Sequence, residues 1–260
     1  MAEKTAYLQL LTTAVGLTPP TFAIAAVMTF GAAFVRGLTG FGMAIILVPL
    51  LAMLIAPEQA VVLAIMLQLL IGPVGLRHIL ADAHRPSALP IAALAMVTTP
   101  LGMIALTAVS ADIARLLIAL IALTAFALVL LPQQAAGHRP GPAMVIATGL
   151  TSGVLTGLAA MPGPPVVPFY LRQHIVPAEA RASMMLIFFA TAIAGTLAAL
   201  WTGLASGATF LLALALFLPM LVGNALGGRA FGRVPVTLWR SVVGVVLGIA
   251  GVAALIRLIG

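Results

Sequence analysis

The sequence predicts an all-α polytopic membrane protein of two inverted repeats, each a broken or re-entrant helix pair followed by three transmembrane helices. Three observations lead there. The chain's 260 residues are 63% hydrophobic and only 7% charged, with a mean hydropathy of +1.26, more apolar surface than one soluble core buries, so lipid is the expected solvent. Apolar stretches long enough to cross the hydrocarbon layer recur at 59–76, 88–108, 113–131, 182–202, 207–226 and 238–256. Two further regions, 20–56 and 142–174, are each too long and too interrupted for one span.

Taken in order, the opening segment MAEKTAYLQLLTTAVGLTPP sets Lys4 against Glu3 and lacks a small-residue cleavage pattern, so it is expected to remain in the mature chain. The first interrupted region contains FVRGLTGFGMAIILVPLL and the second GLTSGVLTGLAAMPGPPVVPFYL. Glycine lowers helix propensity in both, and proline removes a backbone donor. Each region reads as two short helices joined by an unwound turn. Thr39-Gly40 matches Thr156-Gly157, Pro49 matches Pro168, and PEQA from Pro57 matches PAEA from Pro177. The spacing grows from about 117 to 120, as though about three residues were inserted between Ala160 and Pro165. Three full spans follow each region, which places the first repeat at 1–131, a linker at 132–141 and the second repeat at 142–260. Pro73, inside the first full span, is expected to kink it.

Charge then sets orientation. Arg77 and Arg85, with His78 and His84, put the 77–85 connection on the cytoplasmic side. Counting spans from there puts 132–141 with Arg139, 172–181 with Arg172 and Arg181, and 227–237 with Arg229 and Arg233 on the same side, and the turns at 109–112 and 203–206 opposite. Corresponding connections of the two halves carry opposite charge character, as inverted topology requires. Each half crosses an odd number of times whether its broken pair is re-entrant or spanning, and both termini fall on the non-cytoplasmic face.

Inside a bilayer an unwound backbone exposes N–H and C=O groups that cost several kcal/mol each unless protein, water or ligand satisfies them. Broken segments at matching places in inverted repeats therefore point to a transporter's midplane site, and short helices starting at such breaks aim N–H groups at it, which suits an anion. Gly40, Gly42, Gly157 and Gly163, with the flanking Thr39 and Pro164, are the candidate lining of that site. Arg36 precedes the first glycine turn, and a guanidinium binds an oxyanion through two parallel N–H bonds; its other reading is an anchor reaching the cytoplasmic headgroups. Gln68, in the middle of a span, either donates to a bound anion or bonds a neighbouring helix. Thr191, at similar depth in the related span, either joins the site or bonds back to its own helix. Asn224 reads as a cap or interhelical contact.

Other chemistries find little support. The chain has no cysteine, which removes disulfides, thiolate catalysis and cysteine-based metal sites. Its five acidic residues, Glu3, Glu58, Asp82, Asp112 and Glu179, fall in a terminus or predicted connections, so no mid-membrane carboxylate is expected to couple sodium or protons. His78, His84, His138 and His174 fall in cytoplasmic loops. No nucleophile, metal-ligand set or nucleotide loop stands in a span, so neither an enzyme nor a cofactor is expected. The net charge of +7 is scattered in ones and twos between apolar spans, which argues for the lipid bilayer and against nucleic acid as partner. The apolar outer faces would accommodate a homodimer, which no motif demands.

Two motifs carry a family resemblance that extends over nearly the whole chain. GLTGFGMAIILVPLLAML is similar to a first-repeat GxxGxG…P pattern, and GPPVVPFYLRQHIVPAEARASMM to a GPP…YL…PxxxRA pattern, with Gly163, Pro164, Pro165, Tyr170, Leu171, Pro177, Arg181 and Ala182 in the pattern positions. Both resemble the TauE/SafE sulfite exporter family, also called the 4-toluene sulfonate uptake family. The resemblance implies a bacterial inner-membrane carrier exporting a small sulfur-containing anion such as sulfite, a sulfonate or sulfoacetate; an anion channel, or an uptake carrier for another organic anion, is the alternative. The chain departs from the pattern at LAAMPG, where the family is richer in glycine, and at Pro168.

Overall fold

The computed structural model describes residues 16–130, 141–171 and 175–230. Ten helices occupy the described residues: α1 Pro19–Thr39, α2 Met43–Leu51, α3 Pro57–Ile71, α4 Leu76–Asp82, α5 Arg85–Thr107, α6 Ala111–Leu130, α7 Pro142–Ala159, α8 Gly163–Leu171, α9 Pro177–Trp201 and α10 Gly207–Arg229. Six of them, α1, α5, α6, α7, α9 and α10, are long and apolar enough to cross a membrane, and the bent pair α3–α4 makes a seventh if counted as one span. The chain is thus a multi-pass membrane protein. The span expected at 238–256, the linker at 132–141 and the segment before residue 16 lie wholly or mainly outside the described residues.

Starts and stops follow ordinary helix chemistry. Thr18 caps α1 by accepting from the Thr21 N–H at 3.4 Å, and prolines occupy the first turn of α1, α3, α5, α7 and α9, where no intrahelical donor is lost. Val27, Val97, Trp201 and Leu218 are exposed and turn outward to lipid. By contrast α3 is apolar all round, with Val61, Val62, Leu63, Ala64, Ile65 and Leu67 at 0% exposure, as befits a central pillar enclosed by other helices.

The interrupted regions differ from the sequence expectation in a specific way. Each is one long helix of 21 or 18 residues followed by a short one of 9, rather than two short helices. Glycines inside the long members stay helical because packing outweighs propensity. α1 lies against α10 and α7 against α5, close enough that a methyl group at Gly37 would overlap the Asn224 carbonyl, one at Gly153 the Ala95 carbonyl and one at Gly157 the Thr99 carbonyl. Small residues permitting such backbone approach are the usual basis of helix association in lipid. Gly153→Val is therefore expected to destabilise the fold by about 3 kcal/mol, read as a lower melting temperature in detergent.

Two further differences concern α3 and the register. The span expected at 59–76 ends at Ile71, and α4 leaves it at 84° across Gly72-Pro73-Val74-Gly75. Pro73 thus does more than kink the span, and most of the expected 77–85 loop is the helix α4. The two interrupted pairs also align at a constant spacing: Thr39 and Ala159, Met43 and Gly163, Leu51 and Leu171, and Pro57 and Pro177 each stand 120 residues apart. At that spacing Gly157 falls level with Gly37, and both are helix-packing positions.

Candidate anion-binding site

The first break is built by two left-handed glycines. Gly40, at φ 85°, ends α1 with its N–H donating to Arg36 O at 2.7 Å, and Gly42, at φ 89°, precedes α2. L-residues seldom adopt this conformation. The Thr39 hydroxyl braces the turn, 2.9 Å from Val35 O and 2.8 Å from Phe41 O, while accepting from the Phe41 N–H at 3.2 Å. Arg181 of α9 reaches over the turn: its Nη2 donates to Gly37 O at 2.8 Å and its stem lies against Gly40. No side chain caps α2, so the backbone N–H groups of its first turn are left to face the break.

The second break uses different means. α7 ends at Ala160, a left-handed non-glycine residue at φ 57°. The Ala160 N–H donates to Thr156 O at 2.7 Å and the Met161 N–H to Leu155 O at 3.2 Å, a Schellman-type ending. Side chains then satisfy the unwound carbonyls. Ser152 Oγ donates to Pro162 O at 3.0 Å, and Gln68 Nε2 donates to Ala160 O at 3.2 Å and to Ala64 O at 3.3 Å. Pro164 and Pro165 fall in the first turn of α8, where a proline has no N–H to leave exposed. The GPP sequence therefore makes a nearly donor-free wall, in contrast to the open amides of α2. Ala160→Gly is expected to relieve the left-handed strain and raise stability by about 1 kcal/mol, measurable as a higher melting temperature.

Between the breaks lies a narrow, partly open cavity lined by Arg36, the 41–45 stretch, Gln68, the 161–163 stretch and Phe188. Arg36 is 7% exposed, and its Nη1 donates to the neutral Oδ1 of Asn224 on α10 at 2.8 Å. Among the described residues no carboxylate lines the cavity. The arrangement offers a fixed positive charge and backbone donors on one side and apolar surface on the other, which suits a small anion.

Of the residues singled out from the sequence, Arg36, Gly42, Gln68 and Gly163 come together on this cavity. Pro164 lines a neighbouring shallow crevice with Ile45, Ala125, Gly163, Val167 and Pro168. Thr39 and Gly40 shape the turn without lining the cavity, and Gly157 packs on α5. Thr191 is fully buried and donates to Phe188 O at 3.1 Å, within its own helix. Gln68 makes its contact to the opposite break, and Asn224 its interhelical contact to α1. Arg181, read from sequence as a loop cation, stands in the first turns of α9. Ser152, Met161 and Phe188 gave no sequence signal beyond belonging to the region.

Residues 24–254 match the model of the family described as Sulfite exporter TauE/SafE. A relative from Cupriavidus necator, described as "Probable sulfite/organosulfonate exporter TauE", is 32% identical over 114 residues. That stretch is 43% of this chain and 44% of the relative, so the match spans less than half the relative's length. No solved structure matches the chain.

Proposed function

The chain belongs to the TauE/SafE family of sulfite exporters, a family of transporters rather than enzymes, and on that premise we propose that it exports a small sulfur-containing anion through the cavity between its two breaks. One observation carries the proposal: Arg36, buried and bonded to a neutral asparagine, faces a cavity that also receives the uncapped amino end of α2 and, among the described residues, is lined by no carboxylate. A buried cation without a paired acid calls for an anion from outside. Sulfite or a short sulfonate fits that chemistry, its oxygens taking the guanidinium and amide N–H groups together.

The two halves act as inverted repeats about this site. Supporting that are the constant 120-residue spacing of the interrupted pairs and the exchange of partners across the halves, in which α1 of the first packs on α10 of the second while α7 of the second packs on α5 of the first. Alternating access then consists of one half rocking on the other around a fixed site. The protein lies in the bacterial inner membrane with the basic connections inside and both termini outside, and the inside-negative potential drives the anion out.

The test is flux of radiolabelled sulfite in proteoliposomes holding the purified full chain. Saturable flux that responds to an imposed membrane potential is the expected result. Absence of flux for sulfite and for small sulfonates would sink the proposal.

A further inference from the structure

Gln68 carries information about the protonation state of the cargo. It sits on the central pillar α3, is 8% exposed, and lines the cavity. Its amide orientation is fixed by its partners: Ala64 O and Ala160 O, at 3.3 and 3.2 Å, are carbonyls and can only accept, so the amide nitrogen must face them. Both amide protons are thereby engaged on protein, and Gln68 has none to donate to an anion. Its Oε1 accepts from no described residue and is not sealed away from the cavity.

An amide oxygen at that place repels a bare oxyanion and attracts an O–H. The same cavity is lined by donors, Arg36 and the first turn of α2. Building on the proposed sulfur-anion site, we propose that the cargo binds as a singly protonated monoanion, hydrogensulfite rather than sulfite, with its O–H donating to Gln68 Oε1 and its remaining oxygens taking Arg36 and the α2 amides. A proton then travels with each anion, and no mid-membrane carboxylate is needed to carry it.

The other charged side chains on the elements packed against α3 are Asp112 and Arg115 on α6, Glu179 and Arg181 on α9, and Arg229 on α10, with Glu58 on α3 itself. None of them lines the cavity. Arg36, which does, stays protonated near neutral pH, so the pH dependence of binding reports the cargo.

The experiment is calorimetric titration of the purified full chain with sulfite on the acid and alkaline sides of its hydrogensulfite ionisation, and with methanesulfonate, a monoanion that has no O–H. In the wild type the apparent affinity for sulfite should fall on the alkaline side in proportion to the hydrogensulfite fraction. Gln68→Met should lose about three- to tenfold more affinity for hydrogensulfite than for methanesulfonate, the difference being the worth of one hydrogen bond. Tighter binding of sulfite on the alkaline side would overturn the inference, as would equal weakening of both anions by Gln68→Met, which would reduce Gln68 to a brace for the second break. If Gln68→Met does not fold, the wild-type pH comparison decides alone. If wild type binds methanesulfonate well but sulfite only as the dianion, the export reading survives and the inference falls; if it binds neither anion, both fall together.

Discussion

Arg36→Met is expected to abolish measurable sulfite flux while leaving a folded protein. Methionine keeps most of the apolar stem but removes the charge and every N–H of the guanidinium, including the one bonded to Asn224 at 2.8 Å. Two charge-assisted hydrogen bonds to an oxyanion, each of about 1.5–3 kcal/mol, correspond to a loss of roughly 100-fold or more in transport efficiency. The structural cost is smaller. Asn224 loses a donor, at about 1–2 kcal/mol, while a buried cation that has no paired acid in the cavity is removed, which offsets part of it. The check is flux in proteoliposomes alongside size-exclusion behaviour in detergent. Normal flux would make Arg36 an orientation anchor and shift the site onto backbone donors.

Gly42→Val has the second largest expected effect, and its reason is conformational rather than steric. A Cβ at Gly42 would meet Val35 Cγ1 at 3.5 Å, an ordinary contact. The obstacle is φ 89°, where a non-glycine residue costs about 1–2 kcal/mol and a β-branched one more. The turn would relax by rotating the first amides of α2 away from the cavity. Transport should therefore fall at least tenfold, while Gly42→Asn, which tolerates the left-handed region, should retain much more of it. Gly163→Ala is a useful contrast. A Cβ there would meet its neighbours at 3.7 Å or more with no unusual φ, so little change is expected. Equal losses for Val and Asn at position 42 would show that the backbone conformation is not what matters.

Much of this was legible in the sequence because the signals are local. Hydropathy located the spans expected at 88–108, 113–131, 182–202 and 207–226, since lipid imposes a length and a composition together. Gly40-Phe41-Gly42 and the GPP sequence located the breaks, and Arg36 stood out as a cation in an apolar region. The remainder depended on contacts that no periodicity records. Glycine content suggested that α1 and α7 were short helices, yet Gly37, Gly153 and Gly157 serve the approach of another backbone and leave the helices intact. At the 120-residue spacing of the helix ends Gly40 falls level with Ala160, which reaches the left-handed region without being glycine, whereas the Thr156-Gly157 match lies three residues away.

Pairings distant in sequence were the least accessible. Arg36 meets Asn224 across 188 residues, and Arg181 meets Gly37 across 144. Gln68 illustrates the same limit: its depth marked it as a polar residue near the site, but only the carbonyl of Ala160, 92 residues away, reveals which end of the amide faces the cavity.

The claim that an anion sits between Arg36 and the first turn of α2, facing the 161–163 stretch, is tested most directly by diffraction from crystals of the full chain soaked with selenite, the heavier analogue of sulfite, at the selenium absorption edge. The account predicts an anomalous peak within hydrogen-bonding reach of the Arg36 guanidinium and the amides of Met43 and Ala44. A protein that transports sulfite but places the selenium elsewhere would contradict it.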